Sequence, residues 1–535
     1  MNKKINTLIV TFLTGAMFLS ACSSTASSTI TPAEVAATEA AEQVSAETAQ
    51  AQVVPDTGVT VAQNVSDDAP SGNPPSGNPP EGTPPAMPDG SQPGGVPGGN
   101  PPSGAPGGNP PGGNPLSGNG GGAPGGNSSS SSANLLGAYT VNGKSETFSG
   151  GTYDATAADT SAIYVLNGGQ LTLSGATVTS SGDSSSSDNS SFYGQNAGIL
   201  VTANSSATIS DSTVTTTGDG ANCVFASGEG ATITISNTSL SCTGQYAHAI
   251  MATIGGTLIV NNVDMYTTGG SSGAIATDRG SGTITVTGGT IKTTGSNSPA
   301  VYSTGVITVN NAVLNATGSE AAVIEGANSI VLNDSDLSSS FAGKWGVMIY
   351  QSMSGDAEGS EGTFTMNGGS LAYTSTTGPL FFVTNSIANV FLNAADVSVA
   401  SGILVDASAN KWGTEGSNGG TVNLTANQQI LSGDMTADEI SSLNVTLKNS
   451  SKLTGAINAD GTAQSASLTL DASSTWIVTG NSHLTTLIDT AGISGTKITN
   501  ITGNGYTVTY DSSSNPSLGG KTYTLKGGGT LKPAS

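Results

Sequence analysis

Arginine occurs once in this chain, at Arg279, and histidine twice, at His248 and His483. Lysine and arginine together number 13 against 36 acidic residues, giving a net charge of -23. Phosphate backbones are held by clustered cations, so nucleic acid is excluded as a partner. Charged residues of all kinds make up 9% and aromatics 5%. A bundle of amphipathic helices needs far more Leu, Glu and Lys than this composition supplies. Cysteine occurs at Cys22, Cys223 and Cys242 only, with no metal-ligand spacing. Cys223 and Cys242 can pair outside the cytoplasm, and sequence leaves that open. Beyond residue 21 no apolar run is long enough to span a bilayer.

What the chain has is glycine, 75 residues of it, with Ser and Thr throughout. The first residues form a leader: Lys3 and Lys4, a short apolar stretch at 8–19, then Leu19-Ser20-Ala21-Cys22. This order predicts a secretory signal peptide over 1–21. The L-S-A-C ending resembles the lipobox of bacterial lipoproteins. That resemblance implies cleavage before Cys22, lipid on its sulfur, and a membrane as partner. The chain is then extracytoplasmic, lipid-anchored and surface-exposed. Residues 22–133 are first acidic and Ala-rich, then run "SGNPPSGNPPEGTPP" and "GGNPPSGAPGGNPPGGNP". Such a segment cannot bury a core and reads as a disordered tether. A coil of about 100 residues spans roughly 55 Å, and more where prolines stiffen it.

From residue 134 the chain repeats itself. "NCVFASGEGATITISNTSLSCTG", "GAIATDRGSGTITVTGGTIKTTG" and "PAVYSTGVITVNNAVLNATGSE" are three of the units. A period of roughly 22 to 26 residues signals a solenoid. Each unit has three short runs of period 2 separated by turns. In "ATITIS", Ile233 and Ile235 face one way, Thr232 and Thr234 the other. No unit can bury its apolar residues alone; stacking units would put Ile on Ile in one interior column. The corners after the second run are Ser236-Asn237, Asn261-Asn262, Gly288-Gly289, Asn310-Asn311, Asn333-Asp334 and Asn367-Gly368. Asn and Gly tolerate the left-handed backbone of a sharp turn. The expected fold is all-β: a right-handed parallel β-helix over 134–490, with three strands per coil. The rungs loosen after Gly402, and residues 491–535 are expected to form a terminal β cap.

On period and corner residues the chain resembles the right-handed parallel β-helix superfamily of pectin-degrading enzymes, adhesins and carbohydrate-binding surface proteins. For a lyase the resemblance implies an Arg or Lys base beside Ca2+-binding acids; for a hydrolase, several close Asp residues and a His. Asp278-Arg279 is the one lyase candidate, with Thr253 and Thr304 as coil neighbours and no carboxylate beside it. Aligning the ends of the first runs gives a column of Thr202, Ser227, Thr253, Thr277, Thr304, Glu325, Tyr350, Thr384 and Asp406. Glu325 and Asp406 then stand three coils, about 14 Å, apart, beyond direct pairing. His248 and His483 lie in distant coils, and His248 reads as a turn residue. No catalytic set assembles, so the expectation is a non-enzymatic protein; polysaccharide cleavage, with Asp278, Arg279, Glu325 and Asp406 as its least unsuitable residues, is the alternative. A purely structural stalk is the third reading.

A surface remains. Two insertions, 351–362 and 407–420, follow the first run two coils apart, with roots about 10 Å from each other. They bring Asp356, Glu358, Glu361, Lys411, Trp412 and Glu415 towards one place, and Lys344-Trp345 opens the coil of the first insertion. Trp beside polar groups stacks on sugar rings; equally, these rings can cover apolar surface beneath long loops. The ligand-binding candidates are these residues together with Glu325 and Asp406. Acidic loops also admit Ca2+, although no EF-hand or nonapeptide pattern is present. Thr232/Thr234, Thr283/Thr285 and Thr363/Thr365 resemble ice-binding threonine arrays, but Ile259, Val331 and Phe391 interrupt the column.

Overall fold

The structure, a computed structural model, describes residues 133–534. Cys22, the leader and most of the tether lie outside them. The described chain is a right-handed parallel β-solenoid. Its sheets have 12, 14 and 10 strands, each strand pairing with its counterpart one coil away. A further sheet of nine strands takes over on the third side from Ile430–Ser432 to the end.

The second sheet follows the sequence pattern closely. Ile233, Leu258, Ile284, Ile307, Ile330 and Phe364 stack in register, as do Ile235, Val260, Val286, Val309, Leu332 and Met366. All are fully buried. At the expected corners Asn237, Asn262, Asn311 and Asp334 have φ between +46° and +52°. Beside them runs a side-chain ladder: Asn449, Asn427, Asn393, Asn367 and Asn333 each donate from Nδ2 to the Oδ1 one coil earlier, ending on Asn310, at 2.7–3.2 Å. Each amide thus satisfies the next, and about 1 kcal/mol per bond stabilises the stack.

The first sheet departs from the expected alternation. Its strands, such as Val224–Ser227, Ile250–Thr253 and Phe381–Thr384, are buried along their whole length. The inward residues join the interior column. The outward residues Leu200, Phe225, Met251, Ala276, Tyr302, Val323, Met348 and Phe382 align in register and form a second apolar cluster outside the tube. A strand covered on both faces reads as a continuous apolar run, which is how "CVFA" and "FFVT" stand in the sequence.

Cover begins with a short helix that the repeat alignment did not foresee, α1 (Ser187–Tyr193). Ser186 caps its start by accepting from the Asn189 amide at 3.1 Å. Gly194 ends it at φ +75°, where a Cβ would press within 2.6 Å of Leu200 Cδ1 and 2.7 Å of Phe225. A side chain there would lift α1 off the sheet.

Cys223 and Cys242 are joined in the interior. His248, beside them, is fully buried with Nδ1 2.8 Å from the Gly273 carbonyl. Burial holds its pKa down to about 4 from an ordinary 6.5. The fold therefore prefers neutral imidazole, and this contribution is full above pH 6.5 and lost as pH falls towards 4. We expect roughly 3 kcal/mol of acid destabilisation from this residue. His248→Asn, which keeps an amide donor for Gly273, should flatten the dependence of Tm on pH between 6.5 and 4; an unchanged slope would refute the assignment.

After Gly402 the regularity breaks, with a bulge in the first sheet between Ile403 and Val405. At the end of the chain Tyr523–Lys526 and Thr530–Pro533 form an antiparallel pair, with Tyr510 and Tyr523 buried and Tyr506 exposed. Thr507–Tyr510 still pairs in parallel with Ser482–Leu484.

Candidate functional site

The first sheet's outer face gathers the chemistry. Its corner column, carried one residue on from the strand register, reads Thr253, Asp278, Thr304, Glu325 and Tyr350. Asp278, not Thr277, occupies its coil's place, because Thr277 pairs with Ala252. Asp406 leaves the column altogether: it aligns with Phe382 on the outer strip. There burial and Asp438 raise its pKa, opposed by the Ser408 and Thr436 hydroxyls. Glu325 and Asp406 therefore do not share a column. Asp278 and Glu325 do, two coils or about 10 Å apart along it.

The expectation that Asp278-Arg279 lacks a carboxylate neighbour is also corrected. Loop 351–360 folds back three coils and delivers Asp356 to Arg279, with Oδ1 accepting from Nη2 at 2.8 Å and from Nε at 3.2 Å. The guanidinium carbon lies 3.8 Å over the Phe192 ring of α1. The Arg279 side chain is 46% exposed while that of Asp356 is 4% exposed. A contact 77 residues apart has no local signature, which is why sequence spacing missed it.

Glu325 is the hub. It is 2% exposed and accepts from the hydroxyls of Tyr302, Tyr350 and Ser352, with the Tyr350 contact at 2.8 Å. Ser354 adds a longer contact at 3.5 Å. Burial and the Glu325 charge push both phenols well above their ordinary range, so they stay protonated and donate. Asp278 is buried too; desolvation and then Asp356 push its carboxyl well above the usual carboxylate range, against a bond from the Arg279 amide. Asp278, Glu325 and Asp356, all buried, and the Arg279 guanidinium thus gather at one corner of the sheet.

The remaining candidates divide. Lys344 turns away to Asn297 at 2.8 Å and Glu320 at 3.2 Å, fastening a corner. Trp345 stacks flat on Phe382, centroids 4.0 Å apart and planes 8° from parallel. Trp412 tilts over Tyr350 at 5.2 Å, with Lys411 Nζ 4.7 Å from its ring. Glu358 and Glu415 are exposed, and Glu361 accepts from Asn389 at 2.8 Å. The two insertions do flank a common hollow of about 320 Å3, lined by Gln351, Met353, Ser360, Asn385, Ser417 and Thr421 among others. Their acids do not meet in it. Among the described residues no group of three or more His, Cys, Asp or Glu is arranged to hold a metal ion. The Glu325 and Asp356 oxygens already accept from Tyr302, Tyr350, Ser352 and Arg279, and the Ca2+ expectation gains no ligand set from them. His483 bonds Thr509 at 2.9 Å, many coils away from Asp278 and Glu325.

The class this fold defines is the parallel β-solenoid. Beyond that class, no family model, curated protein or solved structure matches the chain.

Proposed function

We propose that this is a lipid-anchored, surface-displayed β-solenoid that binds carbohydrate without cleaving it. The anchor is Cys22, and the proline- and glycine-rich segment after it holds the solenoid off the membrane. One observation carries the binding role: the outer strip of the first sheet is apolar over eight aligned residues and is decorated, on that side, by α1, both insertions and two tryptophans. A structural stalk has no need of such cover on one sheet alone. Half-buried Trp412, with Lys411 Nζ 4.7 Å from its ring, joins an apolar ring to a polar group, the combination that pyranose recognition uses.

Trp412→Ala should weaken binding to the recognised glycan at least tenfold on a glycan array or in a pull-down, with little change in Tm. Trp345→Ala should instead lower stability by about 2–4 kcal/mol, because its ring lies on Phe382. Absence of binding to every wall, host and plant glycan would end this reading.

A second reading, glycan cleavage, is favoured by a specific observation: burial, and then the neighbouring Asp356, push the Asp278 carboxyl well above the usual carboxylate range, as suits a general acid. Release of reducing or unsaturated ends from polygalacturonate or a bound glycan would establish it.

A further inference from the structure

The third side of the solenoid changes sign of charge where its second sheet begins. The strands before that point present Asp154, Asp264, Asp336 and Asp396 outwards, with Lys292 as their one cation. The nine strands of the later sheet hold Lys452, Lys497, Lys526, Lys532 and His483, and no acid. A chain of net charge -23 thus carries one basic sheet, at the end away from the tether. Leu453, Ile498, Leu525 and Leu531 are buried in the interior, so the lysine next to each points outwards. None of the four lysines enters an ion pair among the described residues. Pairing runs from the strand of Lys452 through 475–477 to those of Lys497, Lys526 and Lys532, so the row spans about 19 Å. These lysines are scattered along the sequence, and only strand pairing gathers them.

A second hollow, of about 430 Å3, opens in this row, lined by Lys497, Ile498, Thr499, Thr524, Leu525 and Lys526. Ile498 pairs with Leu525 and Thr502 with Lys526, so Thr499, Asn500 and Ile501 bulge without counterparts and leave the space. The Thr499 amide and hydroxyl both donate to the Gly492 carbonyl, at 2.9 and 3.1 Å, which pins the bulge. Asp489 accepts from Asn500 Nδ2 at 2.8 Å; it is buried, and burial raises its pKa, so it offsets the lysine charge little. Ammonium and hydroxyl donors around one hollow fit an oxyanion. A planar carboxylate is gripped best by the arginine fork, and no arginine stands here. Separate lysine point charges suit a tetrahedral phosphate, whose oxygens face several directions. The outward residues of these strands are Thr, Asn and Lys, with no aromatic platform for bases and no apolar chain for a bilayer. A rigid DNA duplex would also run over the Asp row of the preceding coils. We propose that the row from Lys452 to Lys532 docks a polyol-phosphate polymer, its units joined by phosphodiesters, with one phosphate seated in the hollow beside Lys497 and Lys526. This surface is separate from Trp412 and does not rest on the carbohydrate reading above.

The test uses the full chain and four probes: a glycerol-phosphate oligomer, a galacturonate oligomer, a short DNA duplex and phosphatidylglycerol vesicles. Each is titrated by calorimetry at about 150 mM salt. The glycerol-phosphate oligomer should bind about tenfold or more tightly than any other probe. A chain of net charge -23 attracts no polyanion in general, so binding itself points to a local basic surface. Lys497→Gln combined with Lys526→Gln should cut that binding about tenfold and leave Tm unchanged, since both side chains are exposed and unpaired. Lys292→Gln, on the acidic strands of the same side, should leave binding as it is. Binding that survives the double variant overturns the site. Loss on Trp412→Ala overturns it as well, by placing the ligand on the first sheet. Equal or tighter binding of the uronate, the duplex or the vesicles overturns the polyol-phosphate assignment. Failure of the glycerol-phosphate oligomer to bind overturns the inference and leaves glycan binding at Trp412 standing.

Discussion

Phe364→Ala should destabilise the solenoid by about 3–5 kcal/mol, whereas Phe391→Ala, one coil away on the same sheet, should cost no more than about 0.5 kcal/mol. The two rings differ only in the face they occupy. Phe364 is fully buried in the interior column and meets Phe381 edge-on at 5.6 Å. Phe391 points out of the tube and is 39% exposed. Removing the first leaves a void that neighbouring coils, pinned by parallel pairing on both sides, cannot close. Because each coil contacts chiefly its neighbours, the loss should be local. Hydrogen exchange should therefore accelerate in the strands around Ile330 and Val390, which pair with Phe364, and little in the first coils. Equal losses for the two variants would show that the inward and outward faces had been misassigned.

Glu325→Ala should cost about 3–5 kcal/mol and free loop 351–360 for proteolysis, while Glu325→Gln should cost about 1–2 kcal/mol and leave the loop protected. The carboxylate satisfies Tyr302, Tyr350 and Ser352 at once. Truncation strands the two buried phenols, which stand 3.4 Å apart and can only partly satisfy each other. Glutamine keeps an acceptor oxygen but loses the charge that strengthens the hydrogen bonds. Denaturant titration and limited proteolysis with a glutamate-specific protease, which can cut after Glu358 where loop 351–360 offers trypsin no Lys or Arg, distinguish the cases. A protected loop in Glu325→Ala would mean that the Arg279–Asp356 bond alone holds it down.

The sequence by itself determined the coil. Alternation in runs such as Thr232–Ser236 put one set of side chains inside, and Asn or Gly at the corners allowed the left-handed turn each coil needs. These are short-range requirements, met within a few residues and repeated every coil, so period alone exposes them. It also placed the two insertions on one side, since both follow a first-sheet strand. Only the tertiary structure decided the site. Asp278 took the corner place through a one-residue offset that alignment of loosely similar units cannot resolve. Asp356 reached Arg279 because the first insertion bends backwards over three coils, and Asp406 fell on the outer strip instead of the corner. The outer cluster and α1 likewise depend on which segments cover the first sheet. Loop direction is chosen by burial and charge pairing between residues far apart in the chain, and no periodicity encodes it.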